Sequence, residues 1–264
     1  MSIDNSVSLI LSIYNQESII ATILTGILKN VSSNVKELLI IIDGCTDQTD
    51  AIVKSTLKDY NITNIPVKLI YADNVWEVKA NNIGFKASQY PWILTIQDDM
   101  FIQEKDFDVR MLKPFGIVDN LLGVTGRSAQ DETITPEGKI QYLNVFGKDR
   151  NSPKNIFGIR DIIVRGPIMF NHEKLAQCDY LNEEFAPIDG DEKDLCFRAY
   201  KKFNYVVGAY VVDYVSHLQW GKTRNDYNSN QIWAKAALAH IDLLIEKHRD
   251  ALLGEKHDQD IQID

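Results

Sequence analysis

Cysteine is scarce in this chain of 264 residues. Cys45, Cys178 and Cys196 form an odd set without metal-ligand spacing, which speaks against a disulfide framework and a thiolate zinc cluster. The opening residues MSIDNSVS have no charged segment leading into an apolar run, and with the three thiols this places the expected location in a reducing cytoplasm. No apolar run approaches the roughly 18 residues that span a bilayer. Positive charge is also in short supply: 28 Lys and Arg stand against 37 Asp and Glu, a formal charge of −9. A sequence-independent grip on nucleic acid or anionic lipid needs basic surface and is not expected. Ser8 to Glu17 contains no glycine, so the first strand does not open into a glycine-rich phosphate loop.

What is present is enough apolar residue, 45%, to fill one sizeable core. VSLILSI, Val7 to Ile13, is a β-branched run suited to a strand buried on both faces, and Glu17 to Lys29 then spaces Ile19, Ile20, Ile23, Leu24 and Ile27 at helical intervals. The pattern recurs: Leu38 to Ile42 before a helix near Thr46, Val67 to Tyr71 before a helix over Lys79 to Ser88, then Trp92 to Ile96. Strands alternating with helices imply right-handed βαβ units, a mostly parallel central sheet flanked by helices, and a ligand at the carboxyl ends of the strands. Gln231 to Lys247 reads as a long amphipathic helix that covers the core or pairs with a second copy as a homodimer. The last residues, EKHDQDIQID, read as frayed.

The strand ends are polar. The first ends in SIYNQE, the second in DGCTD and the fourth in QDDM. Each alone suits a turn or a helix cap, but three in register on one sheet edge make a site. Asp98 and Asp99 repel each other at the end of a buried strand, and a divalent cation held by carboxylate oxygen would relieve that repulsion.

SIYNQE, IIIDGCTDQT, ANNIGFKAS, QDD and GDEKDLCFRAY resemble the ordered motifs of family 2 glycosyltransferases, over roughly Val7 to Thr223. The resemblance implies the GT-A fold. It also implies one domain: a nucleotide-sugar-binding half over 1–100, an acceptor and catalytic half over 101–226, and a C-terminal helix and tail over 227–264. The donor it implies is a nucleotide-diphosphate sugar, most simply a UDP-sugar, and the acceptor a glycan or a lipid-linked hydroxyl at the inner membrane surface. Polysaccharide or other glycan assembly is the family's usual work. In this frame Asp99 is the direct ligand of Mn²⁺ or Mg²⁺, His217 a second ligand, and Asp98 a partner of ribose or metal-bound water. Asp43 would accept from a uracil ring N–H and Tyr14 would stack, with Ser12, Asn15 and Glu17 at matching positions of the first loop. Lys79 would meet the diphosphate, and Lys222 with Arg224 would close over it to exclude water. Gln97 stands where many members carry a third Asp, and Ser12 where many carry Pro.

Single displacement at an anomeric carbon, with inversion, needs one carboxylate to take the acceptor's proton. Members commonly read E-D-x-D-L where this chain has Asp191-Glu192-Lys193-Asp194-Leu195, so the two acids are swapped and either Asp191 or Glu192 fills the role. Other readings compete. A haloacid-dehalogenase-type phosphohydrolase would need its nucleophilic Asp where Ile41 stands, and a sugar nucleotidyltransferase would need the missing glycine loop. A non-catalytic nucleotide-sugar-binding module would explain the swapped acids as lost chemistry.

Overall fold

The computed structural model describes residues 4–60 and 65–263, with the side chains of residues 218, 223, 224 and 227 outside that description. The first half alternates β1 (Val7–Ile13), α1 (Ile20–Asn30), β2 (Val35–Asp43), α2 (Thr49–Asp59), β3 (Val67–Ala72), α3 (Trp76–Ala87) and β4 (Trp92–Gln97). There follow β5 (Phe101–Ile102), α4 (Phe107–Leu112), β6 (Leu121–Thr125), β7 (Ser128–Ile134), β8 (Ile140–Gly147), β9 (Ile156–Arg160), β10 (Ile162–Val164), β11 (Ile168–Asn171) and α5 (His172–Gln177). The chain closes with α6 (Asp191–Phe203), β12 (Val206–Ala209), β13 (Tyr214–Val215), α7 (Lys222–Asn225), α8 (Tyr227–Leu253) and β14 (Gln259–Gln262).

Among the described residues the central sheet has nine strands in the order β14-β9-β12-β6-β11-β4-β1-β2-β3. β3, β2, β1 and β4 are mutually parallel, and only β11 and β9 run against the rest, so the sheet is mostly parallel. The period of two in β1 sorts its side chains between two cores. Val7, Leu9, Leu11 and Ile13 pack with Ile20, Ile23 and Ile27 of α1, while Ile10 faces the opposite side with Phe85 of α3. α3 lies close on the sheet at Gly84, where a Cβ would stand 2.6 Å from Ile10 Cγ2. The second core reaches β10-β7-β8, a three-stranded sheet, and the helices α6 and α8.

Register brings the polar strand ends together. Ser12 of β1 pairs with Gln97 of β4 on one side and Ile41 of β2 on the other, so the loops that follow all three strands open at one edge. The long C-terminal helix covers the core through Leu244 and Leu252, with Leu238 71% exposed on its outer side. The tail is not frayed: β14 pairs antiparallel with β9, and Arg160 forms ion pairs with Asp258 and Asp260. No helix among the described residues is long and apolar enough to cross a membrane.

Candidate active site

A cavity of about 530 Å³ lies at that edge, between the loops after β1, β2 and β4 and the wall formed by β7, β8, β10 and α6. Ser12, Tyr14, Asp43, Asp98, Asp99, Glu192 and Lys222, all singled out in the sequence, line it. Asp43 is 3% exposed, and its oxygens accept from the backbone N–H groups of Val75 at 2.7 Å and Trp76 at 2.8 Å. Burial raises its pKa, and those hydrogen bonds offset part of the rise. Ser12 Oγ donates to Asn81 Oδ1 at 2.9 Å, tying the end of β1 to α3.

Asp98 is held from the loop after β1. It accepts from the Tyr14 N–H at 3.0 Å and from Gln16 Nε2 at 3.2 Å. Burial, reinforced by the adjacent Asp99 charge, pushes its carboxyl up to about 8. The raised value fits a cation-binding role, because a bound divalent ion would favour the ionised carboxylate against both the burial and the Asp99 charge that disfavour it. The donor chemistry fits as well: two carboxylates offer hard oxygen, the choice of Mg²⁺ and Mn²⁺. Among the described residues no group of three or more His, Cys, Asp and Glu is gathered for a metal.

Five expected residues lie outside the cavity wall. His217 is exposed, its ring edge-on to Trp220 at 4.5 Å, and it is not among the residues that line the cavity. Lys79 is exposed on α3, which begins at Trp76, three residues earlier than periodicity implies. Asn15 turns the chain at φ 48° and spends its side chain on the loop after β2, accepting from the Thr46 N–H at 2.8 Å. Glu17 accepts from the Gln48 N–H at 2.9 Å, at the N-terminus of α2. Asp191 is fully buried behind the wall that Glu192 faces. Arg224's side chain lies outside the described residues.

The α6 side of the cavity is organised by Arg165, which lies between β10 and β11 and lines the cavity. Its guanidinium binds Glu77 at 2.7 Å, Asp191 at 2.6 Å and both oxygens of Glu192. Three carboxylates from α3 and α6 converge on one cation. Glu77 also accepts from Gln97 Nε2 at 2.9 Å, which gives the residue at the family's third-Asp position a partner of its own. Burial lifts the Asp191 carboxyl well above the usual range, against the pull of Arg165. Lys193, on the cavity wall, pairs at 2.7 Å with the fully buried Glu132 of β7; burial would lower its pKa, but Glu132 holds it above the usual value. No local sequence signal marks Arg165, Glu77 or Glu132, because each acquires its partner from a distant element.

The sequence from residue 8 to 164 matches the family model described as Glycosyl transferase family 2. No curated protein matches the chain. Among solved structures, residues 1–349 of S. aureus TarS in complex with UDP-GlcNAc align at a TM-score of 0.56 and 17% identity, covering 93% of this chain and 73% of that one. Glucosyl-3-phosphoglycerate synthase from Mycobacterium tuberculosis, in complex with Mg²⁺ and UDP, aligns at 0.56 and 13% identity, covering 90% and 79%. GalNAc-T7 with UDP, GalNAc and Mn²⁺ aligns at 0.59 and 9% identity, covering 79% of this chain and 44% of that one. These likenesses are of fold, and the family model extends over more than half of the chain. The chain belongs to glycosyltransferase family 2 and is a glycosyltransferase with the GT-A fold.

Proposed function

We propose that this enzyme transfers a sugar from UDP to a hydroxyl acceptor by metal-dependent single displacement, inverting the anomeric centre. One observation carries the reading: Asp43, Asp98, Asp99 and Glu192 line a single cavity at the carboxyl edge of the sheet. That UDP, UDP-GlcNAc, Mg²⁺ and Mn²⁺ are the ligands of three similar folds supports the choice of donor and metal.

Asp43 accepts from the ring N–H of the base through a lone pair that its backbone bonds leave over. Asp99, on the cavity wall, would hold Mn²⁺ or Mg²⁺, and Asp98 beside it would bind ribose or a water of the ion. A divalent ion held by these carboxylates would supply neutralisation of the charge that develops on the departing diphosphate. Lys222, at the start of α7 and on the cavity wall, adds positive charge for the diphosphate and helps exclude water.

Glu192, not Asp191, is the base in this proposal, because its carboxylate faces the cavity. It takes the acceptor's hydroxyl proton as the new glycosidic bond forms and the bond from the anomeric carbon to the phosphate oxygen breaks, the electron pair leaving with the diphosphate. Arg165 aims that carboxylate, and the two oxygens it binds each retain a lone pair for the proton. The acceptor meets the wall of β7, β8 and Lys193, and is a glycan or a lipid-linked hydroxyl. Calorimetric titration of UDP, GDP and CDP with and without Mn²⁺, repeated on Asp99→Ala, tests the reading. Tight binding of UDP alone, requiring metal and lost in the variant, is expected. Equal UDP affinity in the presence of chelator would refute metal dependence, and binding without any transfer would favour the non-catalytic module.

A further inference from the structure

Trp76 opens α3 with φ +68°, in the left-handed region that a bulky L residue rarely occupies. The surroundings hold it there. Asp43 accepts from the N–H groups of both Val75 and Trp76. A Cβ on Gly44 would stand 2.7 Å from Asn74 N, so residues 74–76 lie flush against the loop after β2. Glycine would meet that backbone requirement without strain, yet an indole stands at the position.

The fold gives the indole little reason to be there. From this stretch the apolar core takes Val75 and Val78, and among the described residues Trp76 is not part of it. Trp76 is half-buried and lines the cavity instead. Its own N–H is 2.8 Å from the carboxylate that addresses the base. Tyr14 lines the same cavity. Strain that persists because its neighbours over-determine it is typical of ligand clamps.

Building on the donor reading above, we infer that Trp76 is a specificity-determining wall of the nucleobase pocket, its indole stacking on a pyrimidine whose ring N–H reaches Asp43. A flat π face suits any base, so the residue supplies affinity, while its bulk beside Asp43 limits the pocket to a single ring.

Trp76→Gly and Trp76→Phe, titrated with UDP and GDP in Mn²⁺ and melted in the same buffer, test this. Trp76→Gly is expected to lose about tenfold or more in UDP affinity and to narrow its preference over GDP, the scale of one lost base stack. Its Tm should equal or exceed that of the wild type, since glycine relieves the positive φ. Trp76→Phe keeps a stacking face and should stay within about threefold of wild-type affinity. UDP affinity in Trp76→Gly within about twofold of the wild type would overturn the assignment while leaving the donor reading intact. A Tm loss in Trp76→Gly that tracks its affinity loss would overturn it in favour of a packing role. A wild type that binds no nucleotide would overturn both.

Discussion

Replacing Asp98 by Asn should stabilise the metal-free protein above neutral pH, although it removes a residue of the proposed donor site. In the fold the Asp98 carboxyl ionises at about 8, against 3.8 for the free side chain. The folded state therefore holds a proton that the unfolded chain releases. The stability this group contributes is fully present below pH 3.8 and is lost as pH rises through about 8. At pH 7 the unfolded chain gains roughly three pH units of ionisation at about 1.4 kcal/mol each, or about 4 kcal/mol. Asp98 is half-buried, and screening by the adjoining solvent reduces this to about 2 kcal/mol. Asn is neutral at every pH and, like the protonated acid, keeps an oxygen for the Tyr14 N–H. In chelator at pH 8, Asp98→Asn should melt about 4–8 °C above the wild type, and at pH 4 the two should coincide. Differential scanning calorimetry with and without Mn²⁺ reads both terms, since the ion should stabilise the wild type at pH 8 and erase most of the gap. A variant that melts at or below the wild type in chelator at pH 8 would refute the assignment of repulsion and burial to this carboxylate pair.

Glu192→Gln should retain UDP affinity while losing about 10²–10⁴-fold in turnover, measured by release of UDP in the presence of acceptor; retained turnover would move the base elsewhere. Lys222→Ala should weaken UDP binding about three- to tenfold through the lost cation on the cavity wall, whereas exposed Lys79→Ala should leave it unchanged in the same titration. Arg165→Met strands Glu77, Asp191 and Glu192 together and should cost about 3–5 kcal/mol in urea unfolding at pH 7. Burial already raises the Glu77 and Asp191 carboxyls, so that loss should shrink as pH falls and they take up protons. A loss that stays constant from pH 5 to pH 8 would show that packing of the arginine, not its charge, is what the fold needs.

The first half of the fold was legible because β1, β2 and β4 are buried on both faces and bracketed by helices, a pattern that leaves a continuous apolar trace such as VSLILSI. Element starts were less legible where side chains serve another element. Glu17 looks like the first turn of α1, but it accepts from the start of α2, and α1 begins only at Ile20. α3 starts on a left-handed Trp76 with no side-chain cap, so nothing local announces it. The acids after β2 and β4 could be read because adjacent charge at a strand end is conspicuous in one dimension. Arg165 could not, since its meaning comes from Glu77, 88 residues away, and from the helix that carries Glu192. The tail shows the same limit from the other side. Composition measures what side chains can bury, and by that measure HDQDIQID belongs in water. A sheet edge supplies backbone N–H and C=O groups that any such segment can pair with, and β9 offers them together with Arg160 and an apolar cluster that takes Ile261 and Ile263. Pairing of β14 is therefore decided by the partner, and a partner cannot be read from the segment itself.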